Sequence, residues 1–337
     1  MIMQQKSTKS IALIVIAFSA TIFFVTQGGQ FILKKNIDFT FQLSIFSIVE
    51  IEPIIQLRNG FLQEFKASDF YRNHAVEISN FNAQGDSGLI NQIADKIVSQ
   101  KPNLVYVLGT PAAQAVQKRD PKILLVQGAA TDPVSAGLAS SWGGSGRNYV
   151  ATSDRLPVNK QLSLLQMLMP KAKRIGIIYN PGEVNSVSVI TMIRNYLEQQ
   201  TPSLKLVERP VANSSDVARA IQSLIGNVDV IYIPPDNTVH SALPIIGRLT
   251  NEYGIPYIAT VRDAIKEGAL ATLSLDFFEL GRESASLALM VLNGIDPGSI
   301  PIKTNDNQRI DINKGLAKRY GVDLDKLNLS GKKFVVN

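Results

Sequence analysis

Short runs of apolar, largely β-branched residues alternate along the chain with longer segments whose apolar positions recur at helical spacing. In the first half the runs are Leu43 to Val49, Val76 to Phe81, Leu104 to Leu108, Ile123 to Val126 and Tyr149 to Thr152, with helix-period patterns at Ile54 to Phe65 and Ser87 to Ser99. Strands separated by helices of about 10 to 15 residues predict βαβ units and a parallel sheet. The same pattern restarts at Arg174 to Tyr179 and continues through Lys205 to Pro210, Val228 to Ile233 and Ile255 to Ala259, with helices near 184–199, 214–225 and 238–253. The chain is therefore read as α/β, with two doubly wound parallel-sheet lobes.

After the second lobe come a strand (Ala269 to Leu275), a helix (Phe277 to Leu292, ending at Asn293-Gly294) and an extended stretch (Pro301 to Asp311). This order predicts three crossings between lobes, near 151–155, 260–271 and 300–305. Residues 43–152 with 272–299 would form the N-terminal lobe, and 153–260 with 303–325 the C-terminal lobe. Residues 261–271 and 300–302 would be hinge crossings and 326–337 a tail. Three connectors allow a cleft to close by hinge motion without loss of register.

Ligands of open parallel sheets bind beyond the carboxyl ends of the strands, so the residues just after each strand carry the functional information. In the first lobe these are Glu50 to Pro53, Asn82 to Asp86, Gly109 to Gln114, and Ala129 to Pro133 with Thr131 and Asp132. Pro111, in a first helical turn, leaves amides free around Thr110 and Ala112, an arrangement suited to a carboxylate. The second lobe offers Tyr179 to Ser186, with Asn185 and Ser186, and Pro234 to Thr238, with Asp236 and Asn237; Asp276 follows the strand of the appended segment. The same residue types are ordinary helix N-caps, and only their recurrence on both sides of one gap favours a binding role.

The 337 residues contain no cysteine and two histidines, and carry 34 Lys and Arg against 28 Asp and Glu. Thiol catalysis, disulfides, cysteine-bound zinc and a lipoprotein anchor are thereby excluded. His74 and His240 are far apart in sequence and lack carboxylates at ligand spacing, which argues against a metal site, and no cofactor is expected. The modest positive charge is dispersed, so no nucleic-acid partner is expected. Gly85-Asp86-Ser87-Gly88 matches a serine-protease nucleophile loop only in letters and reads as a turn with Ser87 as N-cap. Gly143 to Gly146 lacks the flanking strand and helix of a phosphate loop, and Trp142 beside it reads as a packing or exposed aromatic.

Lys6 and Lys9 precede Ser10 to Val25, an uncharged stretch shorter than the ~20 residues that span a bilayer. This is the layout of an export signal over residues 1–27, followed by a connector over 28–42. The end of the stretch has small residues but no Ala-x-Ala, which leaves an uncleaved anchor open. A periplasmic or otherwise extracytoplasmic location follows.

From FNAQGDSGLINQIADKIVSQKPNLVYVLGTPAAQAV onward, through GAATDPVSAGL, RIGIIYNPGEVNS, VDVIYIPPDNTVHSAL, GALATLSLDFFELGRESA and PIKTNDNQRIDIN, the sequence resembles the solute-binding components of an ABC-importer family associated with tryptophan or tyrosine uptake. The resemblance spans about residues 43 to 320. It implies a type I periplasmic binding protein-like fold that captures a small molecule, in several members an aromatic amino acid, and delivers it to a permease driven by an ATPase. It implies no enzymatic activity, and the chain is expected to act as a monomer. For a zwitterionic ligand, the Thr110 to Ala112 amides and the Thr110 hydroxyl would take the carboxylate, with donors from Asn185 and Ser186. Asp236 or Asp276 would take the ammonium, with Asp132 third. The family pattern is broken at Ile51-Glu52 (His-Pro in the family), Pro181-Gly182 (Ser-Ser), Pro235 (Thr) and Ser274-Leu275 (Gly-Ile). The rival reading is a membrane-anchored sensor of the same fold; a repressor would need a helix-turn-helix that residues 1–42 do not supply.

Overall fold

The computed structural model describes residues 40–327 and 333–336. The expected export signal lies outside the described residues, among which no helix is long and apolar enough to cross a membrane. In the N-terminal lobe, strands β1 (Thr40–Ser47), β2 (Ala75–Asn82), β3 (Leu104–Leu108), β4 (Leu125–Gly128) and β5 (Tyr149–Ala151) form a parallel sheet in the order β2-β1-β3-β4-β5. Helices α1 (Glu52–Ala67), α2 (Asp69–Asn73), α3 (Ser87–Gln100) and α4 (Thr110–Arg119) connect its strands. In β3 the continuous apolar run divides by alternation. Leu104, Tyr106 and Leu108 face one core, where Phe61 stacks on Tyr106 at 3.9 Å, and Val105 and Val107 face a second with Ile90, Ala94 and Ile97. A strand covered by helices on both faces has no polar side to show, which is why its sequence does not alternate.

The C-terminal lobe begins with α5 (Val158–Leu168), then β6 (Arg174–Tyr179), α6 (Val184–Gln200), β7 (Lys205–Pro210), α7 (Val217–Leu224), β8 (Val230–Ile233), α8 (Asn237–His240), α9 (Leu243–Tyr253), β9 (Tyr257–Ala259) and β10 (Ala271–Ser274). The chain then leaves as α10 (Phe277–Leu292) and returns as β11 (Arg309–Ile312), α11 (Lys314–Arg319) and β12 (Lys333–Val336). The seven strands run β12-β11-β10-β9-β8-β6-β7, with only the β10–β11 pair antiparallel. Pro210 closes an edge strand, where a missing N–H is tolerated.

This topology corrects four expectations. β10 pairs with β9 and β11, so residues 271–274 belong to the C-terminal sheet and the second crossing falls at Leu275-Asp276 rather than over 261–271. The stretch after β9 folds instead as a short 3₁₀ turn, Arg262–Ile265, within the C-terminal lobe. Lys333–Val336, expected to be tail, adds an edge strand. The N-cap of α3 is Asp86, whose side chain accepts from the Leu89 N–H, and Ser87 is already helical.

Helix α10 starts from the C-terminal sheet and packs along α1 of the other lobe. The two backbones meet at glycines: a Cβ on Gly60 would lie 2.0 Å from the Phe278 carbonyl oxygen, and one on Gly281 2.1 Å from that of Leu57. The first and third connectors lie side by side. Thr152 and Lys303 form a parallel bridge, the Lys303 N–H donates to the Ala151 carbonyl at 2.9 Å, and the Ser153 N–H donates to that of Lys303 at 2.8 Å.

Candidate functional site

In each sheet the chain winds in opposite directions from two neighbouring strands, β1 and β3 in one lobe and β6 and β8 in the other. Helices α1, α4, α6 and α8 start just beyond these strand ends, and their first turns face one cleft between the lobes. The space among its lining residues, with the open solvent at its mouth counted in, is about 610 Å³. Ile51, Pro53, Ile54 and Leu57 form an apolar wall on the N-terminal side, and Leu156, Val261, Leu275 and Phe277 extend it across the connectors and the C-terminal lobe.

Of the residues singled out in the sequence, Thr110, Thr131, Asn185, Asp236 and Asn237 line this cleft. Helix α4 has no side-chain cap, and its first chain-closing bond is Ala113 N–H to the Gly109 carbonyl, so the amides of Thr110 and Ala112 precede the helical ladder. Gly109 makes the entry possible: its φ is +116°, and a Cβ there would lie 2.5 Å from the Ile48 side chain. Pro111 and Ala112 belong to the same turn behind Thr110. Ser186 is fully buried behind Asn185, outside the cleft lining.

The three carboxylates expected to meet an ammonium are otherwise engaged. Asp236 caps α8, one oxygen accepting from the Val239 N–H at 2.8 Å and the other from the Asn180 N–H at 2.6 Å. Burial, and then the charge of Glu183, push its carboxyl up to about 8. Glu183 in turn accepts from the Asn237 and Thr238 amides at 3.1 and 2.9 Å and from both of their side chains at 2.7 Å. Asp276 is exposed and caps α10 through the Glu279 N–H. It does not lie on a different lobe's strand from Asp236, because β8 and β10 share one sheet.

Asp132 does contact the opposite lobe, but through protein. It accepts from Ser188 on α6 at 2.5 Å and from the Ser135 hydroxyl and N–H. Burial opposes its charge, yet the Ser188 and Ser135 bonds and the positive Arg155 hold it below the usual carboxylate range. Arg155 itself lies 5.0 Å over the Trp142 ring and reaches Met192 on α6, which gives Trp142 a packing role. Glu50 is exposed and paired with Arg58 away from the cleft lining.

Three polar residues that strand-end reasoning missed stand in the cleft with unused atoms. Asp154 Oδ1, Thr260 Oγ1 and His240 Nε2 are buried and have no partner among the described residues, and the same is true of Asn185 Oδ1. The Asn185 amide nitrogen is turned toward the Pro235 carbonyl at 3.1 Å, which leaves its oxygen as the free acceptor. Burial pushes the Asp154 carboxyl up to about 7, with only the Thr131 hydroxyl and its own backbone favouring the charge. Native interiors rarely leave polar atoms unpaired, so four at one cavity mark a place where a ligand completes the bonding. The available signal was position: Asp154 lies on the first interlobe connector.

Comparison with known proteins agrees with this architecture. The sequence profile described as ABC transporter substrate binding protein matches residues 42–332. The chain is 36% identical over 293 residues to a tyrosine-binding protein of Clostridioides difficile, covering 87% of this chain and 84% of that protein. A substrate binding protein with adhesive properties from Clostridium difficile, solved ligand-free and open, is 33% identical, with 88% of this chain and 99% of that chain covered and a TM-score of 0.64. An ABC domain from Streptococcus pneumonia in complex with L-Trp is 24% identical, with 88% and 100% covered and a TM-score of 0.80. With two sheets around an interlobe cleft and a profile match across nearly all described residues, the chain belongs to the ABC transporter substrate binding protein family.

Proposed function

We propose that the chain captures an aromatic amino acid outside the cytoplasm, by binding alone and as a monomer, and hands it to an ABC permease and its ATPase. The observation that carries the ligand class is the set of unpaired acceptors, Asp154 Oδ1, Asn185 Oδ1 and Thr260 Oγ1, lining one cleft. An α-ammonium has three N–H donors and one positive charge, and the set offers three acceptors and one carboxylate. The α4 amides at Thr110 and Ala112 supply donors for the α-carboxylate, and the apolar wall from Ile51 to Phe277 suits a ring. The Asp132–Ser188 bond describes a closed cleft. The higher TM-score against the L-Trp complex than against the open structure, despite lower identity, supports the same reading. A thermal-shift screen of the amino acids tests the proposal. Tyrosine, tryptophan or phenylalanine at 100 times its dissociation constant should add about 2.7 kcal/mol of stability. Stabilisation by sugars or polyols, with no response to any amino acid, would overturn it.

Binding should also depend on pH. In the empty closed cleft Asp154 titrates near 7, whereas an ammonium beside it requires the carboxylate, so binding expels a proton below that pH. Affinity is expected to fall by up to about tenfold per unit as pH drops below 7, and to level off above 8. The empty protein moves the opposite way. A carboxyl whose folded pKa is raised stabilises the fold most below about 4, its unfolded value, and that contribution is lost as pH rises through 7. Calorimetric titration from pH 5.5 to 8.5 checks both signs, and Asp154→Asn should flatten the affinity profile. Asp236, also raised, would leave a pH-dependent stability in that variant.

A further inference from the structure

The three acceptors and the α4 amides account for the ammonium and carboxylate ends of an amino acid, and one polar atom of the cleft remains. His240 is 8% exposed, lines the cleft, and has Nε2 buried without a partner among the described residues. The Pro234 carbonyl, which can only accept, acts on this ring, so with Nε2 unpartnered we assign the proton to Nδ1 and the lone pair to Nε2. Burial keeps the ring neutral by pushing its pKa down to about 4. A neutral acceptor is of no use to a carboxylate, and the ammonium's three donors are already matched. The ligand donor left for Nε2 is one on the side chain.

We propose that His240 Nε2 accepts a hydrogen bond from an O–H or N–H borne on the ligand's aromatic ring, and so selects a hydroxyphenyl or indole side chain over a plain phenyl. This inference rests on the aromatic amino acid reading above and adds a specificity-determining residue to it. Selection arises because a phenyl ring seals the cleft over an acceptor that has lost water and gained nothing, whereas a ring donor satisfies it.

Two ligand pairs that differ in the donor test it by calorimetry on the full chain: tyrosine with phenylalanine, and tryptophan with its sulfur isostere 3-benzothienylalanine. For whichever of tyrosine and tryptophan binds more tightly, the wild-type chain should prefer it over its donor-less partner by at least about tenfold. His240→Leu should bring that ratio within about threefold by weakening the donor ligand alone, and His240→Gln, whose side-chain carbonyl accepts, should recover part of it. If His240→Leu does not fold, the wild-type ratio and the His240→Gln ratio decide. A wild-type ratio near one, an unchanged ratio in His240→Leu, or an equal loss for both members of the pair would overturn the proposal. Failure of all four ligands to bind the wild-type chain would instead overturn the aromatic reading on which it stands.

Discussion

Asp154→Ala is expected to weaken amino-acid binding by between about 30-fold and several thousand-fold, equivalent to about 2 to 5 kcal/mol, the usual cost of truncating one partner of a buried charge pair. The effect should be large because no second anion stands ready. Asp236 spends each oxygen on a backbone amide, Asp132 spends its own on Ser135 and Ser188, and Asp276 is exposed on a helix cap. The variant should fold as well as the wild-type chain or better, since it removes a buried group whose carboxylate makes no ion pair. Asp276→Ala should bind within about twofold of wild type, its loss being that of a helix cap. Calorimetric titration with tyrosine and tryptophan decides; binding by Asp154→Ala within threefold of wild type would remove Asp154 from the site.

Gly281→Ala is expected to destabilise the fold. A methyl group there would lie 2.1 Å from the Leu57 carbonyl oxygen, a backbone atom inside a long helix that has no rotamer by which to yield. Overpacking usually costs about 1 to 3 kcal/mol, and a clash between two helix backbones belongs at or above the top of that range, so a drop in Tm of several degrees is expected. Gly60→Ala meets the Phe278 carbonyl in the same way. Helix propensity alone would make both changes stabilising, so even the sign of the shift separates the two effects. A melting temperature at or above wild type for both variants would show that α1 and α10 can part without penalty.

The layering of the fold was legible because each buried strand is a dense apolar run and each helix repeats at 3.6. Lobe membership of β10 was not: its sequence, Ala271–Ser274, suits either sheet, and only pairing with β9 and β11 assigns it. Helix α5 went unread because Pro157 to Leu168 follows a crossing, where no strand announces it. At the site, the strand-end rule found Thr110, Thr131, Asn185, Asp236 and Asn237, which line the cleft, and also Asp276, which is exposed; Asp236 and Asp276 both serve as helix caps. The chemistry that satisfies a helix start is the same as that which holds a ligand, so residue type cannot separate them. Asp154 escaped because the residues after β5 cross to the other lobe instead of opening a helix at once, and His240 because a histidine was weighed as a metal ligand rather than as a neutral acceptor.

The bridge between Thr152 and Lys303 has a mechanical consequence. Two chains joined edge to edge by hydrogen bonds act as a narrow ribbon, which flexes across its thin direction but resists shear and sideways bending within its own plane. The Lys303 bonds to Ala151 and Ser153 fasten that ribbon at the root of both lobes. Of the rotations two rigid bodies have available, the ribbon leaves one soft, so the lobes part along a single arc. A solute would thus meet the same mouth at every opening, and the surfaces that face outward would keep a fixed relation in each end state.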